Sequence, residues 1–158
     1  MRIAVPAHVA HLPTGIGHGR VWRSVLEELG RLADVRVTDP GARRVKADVW
    51  LIDGHNGPVQ TSLPVVAQVH ETSWRIPEVR DSMNPAFLEW LEERTLAAVA
   101  ASARVITAAQ ATQTQIAEFC GYPEERIDVV PHGVDPDRFH PGKKASDPFL
   151  PRERPYVL

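Results

Sequence analysis

The sequence predicts an α/β domain: a Rossmann-like, three-layer fold around a mostly parallel, doubly wound sheet. Two observations carry that expectation. Short apolar runs alternate with longer amphipathic ones along the chain, the pattern of successive βαβ units. The runs at 48–53, 64–70 and 126–130 are rich in valine and isoleucine without strict apolar–polar alternation, as central parallel strands covered on both faces are.

Taken in order, residues 2–7 (RIAVPA) read as the first strand. From Gly17 to Leu32 the residues Val21, Val25, Leu29 and Leu32 recur at helical spacing and predict one apolar face. Residues 33–39 predict a second strand, stopped by Pro40-Gly41. The third strand is expected at 48–53, before the turn residues Gly54, Asn56, Gly57 and Pro58, and the fourth at 64–71. A polar loop is expected over 72–84. Asn84 and Pro85 suit the N-cap and first turn of a helix running to Ser102, with Phe87, Leu88, Leu91, Ala98 and Val99 inward. Residues 103–108 predict a fifth strand. The helix over 109–120 turns Thr112, Ile116, Phe119 and Cys120 inward and stops at Gly121. Residues 126–131 predict a sixth strand.

Composition narrows the function classes. A length of 158 residues suits one domain with a full core. The net charge of -2 lacks the basic footprint of a nucleic-acid binder, so no nucleic-acid partner is expected. No apolar run approaches the ~20 residues that span a bilayer. Residues 2–7, interrupted by Pro6, read as a strand rather than as a signal peptide. The lone Cys120 excludes an internal disulfide, reads as a small buried apolar residue and fits a reducing cytoplasm. Arginine outweighs lysine, which stands only at Lys46, Lys143 and Lys144, as in a GC-rich bacterial genome.

Three glycines, Gly15, Gly17 and Gly19, stand between the first strand and the first long helix. Glycine lets backbone approach a ligand closely, and a helix start presents free N–H groups that suit an anion. The spacing differs from the G-x-G-x-x-G of dinucleotide binders, and no acidic residue but Asp39 stands at the second strand's end where a ribose would need one, which disfavours a nicotinamide enzyme. His8 and His11 lie in a loop broken by Pro6 and Pro13 with no carboxylate or thiol at ligand spacing, so no zinc site is expected there. His70 closes a buried strand at the edge where open α/β sheets bind ligands, with Glu71 beside it. Glu89, Glu92, Glu93 and Arg94 read as a solvated helix face.

The stretches TGIGHGRVW (14–22), VVAQVHETSW (65–74) and ARVITAAQATQTQIAEFCGYPEERIDVVPHGVDPDRFHP (103–141) occur in this order. Together they resemble the N-terminal domain of family-four retaining glycosyltransferases of the two-domain GT-B architecture. The resemblance implies transfer of a sugar from a nucleotide-sugar donor to an acceptor with retention of configuration, and without a metal cofactor. His70 matches the family's strand-end histidine near the reaction centre. Gly15, Ile16 and Gly17 match the loop that approaches the donor's phosphates, and Arg20 is assigned the positive charge that the family's loop arginine supplies, His18 standing in that arginine's place. His18, Glu71 and Trp74 are assigned to the acceptor side. Gly133, with Val134 and Asp135, matches the hinge.

The resemblance implies this domain organisation: an acceptor-side domain at 1–140, a linker at 141–154 rich in proline and charge, and the first strand of a nucleotide-sugar-binding C-terminal domain at 155–158. That second domain carries an E-x7-E motif in the family, and no two glutamates here have that separation. The expected partners are therefore a nucleotide-sugar, an acceptor and the second domain, and the 158 residues alone are expected to be inactive. The family leaves room for peripheral membrane association of the whole enzyme. Two alternatives stay open: a non-catalytic Rossmann-like binding module, and a nucleotide-sugar epimerase of the same architecture. The epimerase would need acid–base groups on both cleft faces, for which the sequence offers only His70 with Glu71.

Overall fold

The computed structural model describes residues 1–13, 15, 17–42 and 44–134. Ile16, Asp135, the linker at 141–154 and the strand expected at 155–158 lie outside the described residues.

The chain runs β1 (Arg2–Pro6), α1 (Ala7–Ala10), α2 (Gly17–Leu32), β2 (Asp34–Thr38), β3 (Val49–Asp53), β4 (Val65–Gln68), α3 (Pro77–Ser82), α4 (Pro85–Ala100), β5 (Arg104–Thr107), α5 (Gln110–Cys120) and β6 (Ile127–Val129). The six strands form one sheet in the order β2-β1-β3-β4-β5-β6, and every neighbouring pair is parallel. The chain steps from β1 outward to β2, then returns to the other side of β1 and continues to β6. The order therefore reverses between β1 and β3. At such a reversal the connections leave the strands' carboxyl ends in opposite directions, and a crevice opens between them.

Alternate residues of the central strands pack on opposite faces, which makes the three layers. Ile3, Val5 and Leu51 meet Val9 of α1 and Trp22, Val25, Leu26 and Leu29 of α2. Ala4, Trp50, Ile52, Val65 and Ala67 meet Ala98 of α4. Val105 and Ile127 pack with Ile116 of α5 and Val99 of α4.

Punctuation decides the helix ends. The Asn84 side chain accepts from the N–H groups of Ala86 and Phe87 at 3.0 and 3.3 Å, and Pro85 follows it. Gly121 adopts a left-handed conformation, φ 61°, as the C′ position after α5 favours.

The structure corrects several details of the expected faces. The buried stripe of α2 includes Trp22 and Leu26, while Leu32, at the helix's last residue, is exposed. Phe87 is half exposed and stacks on Trp90 at 5.7 Å rather than facing inward. Phe119 is only partly buried and lies under the Arg75 guanidinium, 4.2 Å from ring centroid to carbon. The expected loop over 72–84 holds a 3-10 turn at Ser73–Arg75 and the short helix α3, both too brief to show a period. The strands are one to four residues shorter than the expected runs, because apolar residues continue past the ends of the ladder.

Candidate functional site

The carboxyl ends of β1, β3, β4 and β6 bring four histidines together. His18 lies on the first turn of α2, His55 in the 3-10 turn Gly54–Asn56, His70 two residues past β4 and His132 three residues past β6. The His18 and His70 rings meet edge-on with centroids 4.3 Å apart, and His70 is 6.0 Å from His132 and 6.4 Å from His55.

Against this cluster stands Asp53, the last residue of β3, with no exposed surface. Its Oδ1 accepts from the His55 backbone N–H at 3.0 Å, and its Oδ2 accepts from Asn56 Nδ2 at 2.8 Å. His18 Nε2 lies 2.7 Å from Asp53 Oδ2 and 3.2 Å from Trp22 Nε1. One ring nitrogen cannot donate to the carboxylate and accept from the indole at once. The shorter, charge-assisted contact with Asp53 places the proton on Nε2. Burial pushes the Asp53 carboxyl up, but the His18 hydrogen bond and charge and the His55 N–H more than offset it, and Asp53 is held below the usual carboxylate range.

The two inner histidines are neutral at pH 7. Burial pushes His55 below its ordinary value. Its Nδ1 is 3.3 Å from Thr95 Oγ1 on α4, and its ring meets Trp74 edge-on at 5.1 Å. Burial, aided by the charge of His18 and opposed by that of Asp53, pushes His70 down to about 4. Nε2 of His55 and Nε2 of His70 are buried and have no hydrogen-bond partner among the described residues.

The glycines divide into two kinds. A Cβ on Gly19 would stand 2.1 Å from the carbonyl oxygen of Pro13, so the loop before α2 closes directly over this helix position. Among the described residues, a Cβ on Gly15 or Gly17 would meet nothing within 4 Å. Space beside the turn is open there.

The remaining expected site residues are placed as follows. Arg20, on α2, lines a groove of about 770 Å³ together with Val21, Glu28, Arg31 and His132. Gly133 lines the same groove and is exposed. Glu71 is exposed, and its Oε2 accepts from the Ser73 N–H at 2.7 Å, which ties the turn after His70. Trp74 is buried against Leu88 and Leu91 and reaches the cluster through the His55 ring, not through solvent. Asp53 and His55 escaped the sequence reading. A carboxylate closing an apolar strand just before Gly54 was the available signal. Among the described residues no group of three or more His, Cys, Asp or Glu is arranged to hold a metal, and no helix is long and apolar enough to cross a membrane.

A family model described as Glycosyltransferase Family 4 matches residues 42–138. That span holds Asp53, His55, His70 and His132 and ends past β6. No curated protein matches the chain.

Proposed function

The chain belongs to glycosyltransferase family 4, and from that premise we propose that it is the acceptor-side domain of a retaining enzyme that moves a sugar from a nucleotide-sugar to an acceptor. The observation that carries this reading is the contact of His70 with His18 directly behind the glycine turn, at the carboxyl edge beside the sheet's reversal.

The chemistry follows from that placement. The donor's diphosphate approaches the start of α2, a helix of 16 residues whose first N–H groups and dipole favour an anion. The open space beside Gly15 and Gly17 admits it, and Ile16 and Arg20 belong to the same stretch. Negative charge grows on the diphosphate as the glycosidic bond breaks, so donors fixed there stabilise the transition state more than the ground state. No metal is required in this scheme. The sugar carbon becomes oxocarbenium-like in the same step. A neutral His70 offers that sugar a hydrogen-bonding ring without a repelling positive charge. The acceptor lies on the His18 and Glu71 side. The nucleotide is held by a second Rossmann-like domain that closes on this edge through a hinge at Gly133 and Asp135, so the 158 residues alone do not catalyse transfer.

The test begins by reading the natural frame past the codon for Leu158 and producing the whole encoded protein. Sugar transfer from a panel of nucleotide-sugars is then assayed, and the anomeric configuration of the product is determined by NMR. A product with the donor's configuration supports the reading. An inverted product overturns retention, and no transfer from any donor overturns the enzyme reading in favour of a binding module.

A further inference from the structure

Asp53 is costly where it stands. A carboxylate with no exposed surface is retained in a fold only when its neighbours satisfy it. Two of its three donors, the His55 N–H and Asn56 Nδ2, come from its own turn. They would satisfy a carboxylate wherever that turn went. The third, His18, belongs to another element: 35 positions earlier in the chain, on the first turn of α2. Apart from packing, this bond ties the start of α2 to the end of β3, across the point where the strand order reverses.

The tie has a geometric consequence. His18 held by Nε2 on Asp53 sits edge-on to His70 at 4.3 Å. The loop before it is pinned a second time where Pro13 closes over Gly19. Gly15 and Gly17 stand in the chain between these two fixed points, Pro13 and His18.

We propose that Asp53 is a positioning residue whose buried carboxylate clamps His18 against His70 and so sets the glycine turn in place before any substrate arrives. A site organised beforehand does not have to be ordered during binding or reaction, which is why such a clamp raises turnover without touching substrate. What the clamp is for rests on the transferase reading; whether it exists does not.

The clamp is read on the substrate-free chain by NMR. Four titratable neighbours face His70: His18 from α2, Asp53 and His55 from the end of β3, and His132 from the segment after β6. Asp53's charge raises the His70 midpoint, so removing that charge alone lowers it. Freeing His18 does the opposite, because it relieves burial and a like charge. In Asp53→Asn the His70 midpoint is therefore expected to rise from about 4 by about one unit or more. Amide exchange at Gly15 and Gly17 is expected to speed up about tenfold or more. His18→Ala should loosen the same two amides, and adding Asp53→Asn to it should loosen them no further. The Val69 amide, bonded to the Ile106 carbonyl at 2.9 Å, should stay protected throughout and shows that the sheet is intact.

A His70 midpoint that falls or stays, or unchanged Gly15 and Gly17 exchange, overturns the proposal. Asp53→Ser repeats the test if Asp53→Asn does not fold. Lost Val69 protection in both makes Asp53 a residue of folding and overturns it too. A failed transferase reading leaves all of these readouts as expected and shows only in the transfer assay.

Discussion

His18 on the first turn of α2 donates a 2.7 Å hydrogen bond to Asp53, a carboxylate with no exposed surface at the end of β3. The bond joins the start of α2 to the end of β3 across the sheet's reversal, and the His70 ring packs edge-on against His18. Four predictions follow from this arrangement and its surroundings.

Stability should fall on mild acidification because of His70. The unfolded chain takes up the imidazole proton below about pH 6.5, whereas the native protein resists it until about pH 4. Over that interval the unfolded state binds more protons, so the free energy of unfolding decreases as pH falls, by roughly 3 kcal/mol in total. Urea unfolding at several pH values measures this, and His70→Gln should reduce the slope between pH 6.5 and 4, leaving the share due to the buried His55.

Asp53 acts over a lower window with the same sign. Its folded value is depressed, so its contribution is present above the ordinary carboxylate value of about 4 and is lost as pH falls through the folded value. The native protein should therefore lose stability again below about pH 4. In a folded Asp53→Asn variant that second loss should shrink, and the loss due to His70 should narrow with it as the His70 midpoint rises.

Gly19 and the two outer glycines should behave oppositely. Gly19→Ala drives a methyl group into the Pro13 carbonyl and should cost about 1–3 kcal/mol by thermal or urea unfolding. Gly15→Val and Gly17→Val enter open space and should leave the domain folded. In the whole enzyme they should cut turnover instead. Parallel losses of stability and turnover in the outer pair would remove the reason for placing a phosphate there.

His70→Ala should lower turnover of the whole enzyme about 100-fold or more while nucleotide affinity changes little. Steady-state kinetics and calorimetric titration with the free nucleoside diphosphate separate the two effects. Unchanged turnover would take His70 out of the reaction centre.

Much of the fold was legible in the chain because its signals are local. The stretch 17–32 reads as a helix and is one; Asn84 and Gly121 mark helix ends through hydrogen bonds and backbone angles of their own neighbourhoods. Valine-rich runs mark buried strands because a strand covered on both faces needs no polar side. Phe87 and Leu32 misled because spacing tells which residues share a face and not where the sheet ends beneath it. Trp74 stands in a polar stretch of sequence, yet the turn around it packs its ring against Leu88 and Leu91 of α4.

The candidate site was half legible. His70 and the glycine turn could be found, because a strand end and a strand-to-helix junction are places along the chain. Asp53 and His55 carried only the weak signal of a carboxylate closing an apolar strand before Gly54, since their significance comes from what stands opposite them. By itself the sequence determined the order of the six strands and the three long helices, the edge of the sheet where a site would form, and a family resemblance. Only the tertiary structure decided that β1 and β3 lie side by side. That adjacency brings His18 to Asp53 across 35 positions of chain, and the same edge holds His70 buried deeply enough to stay neutral. The physical reason is that burial and pairing depend on distance in space, and the energy of a buried charge is set by partners that local sequence does not name.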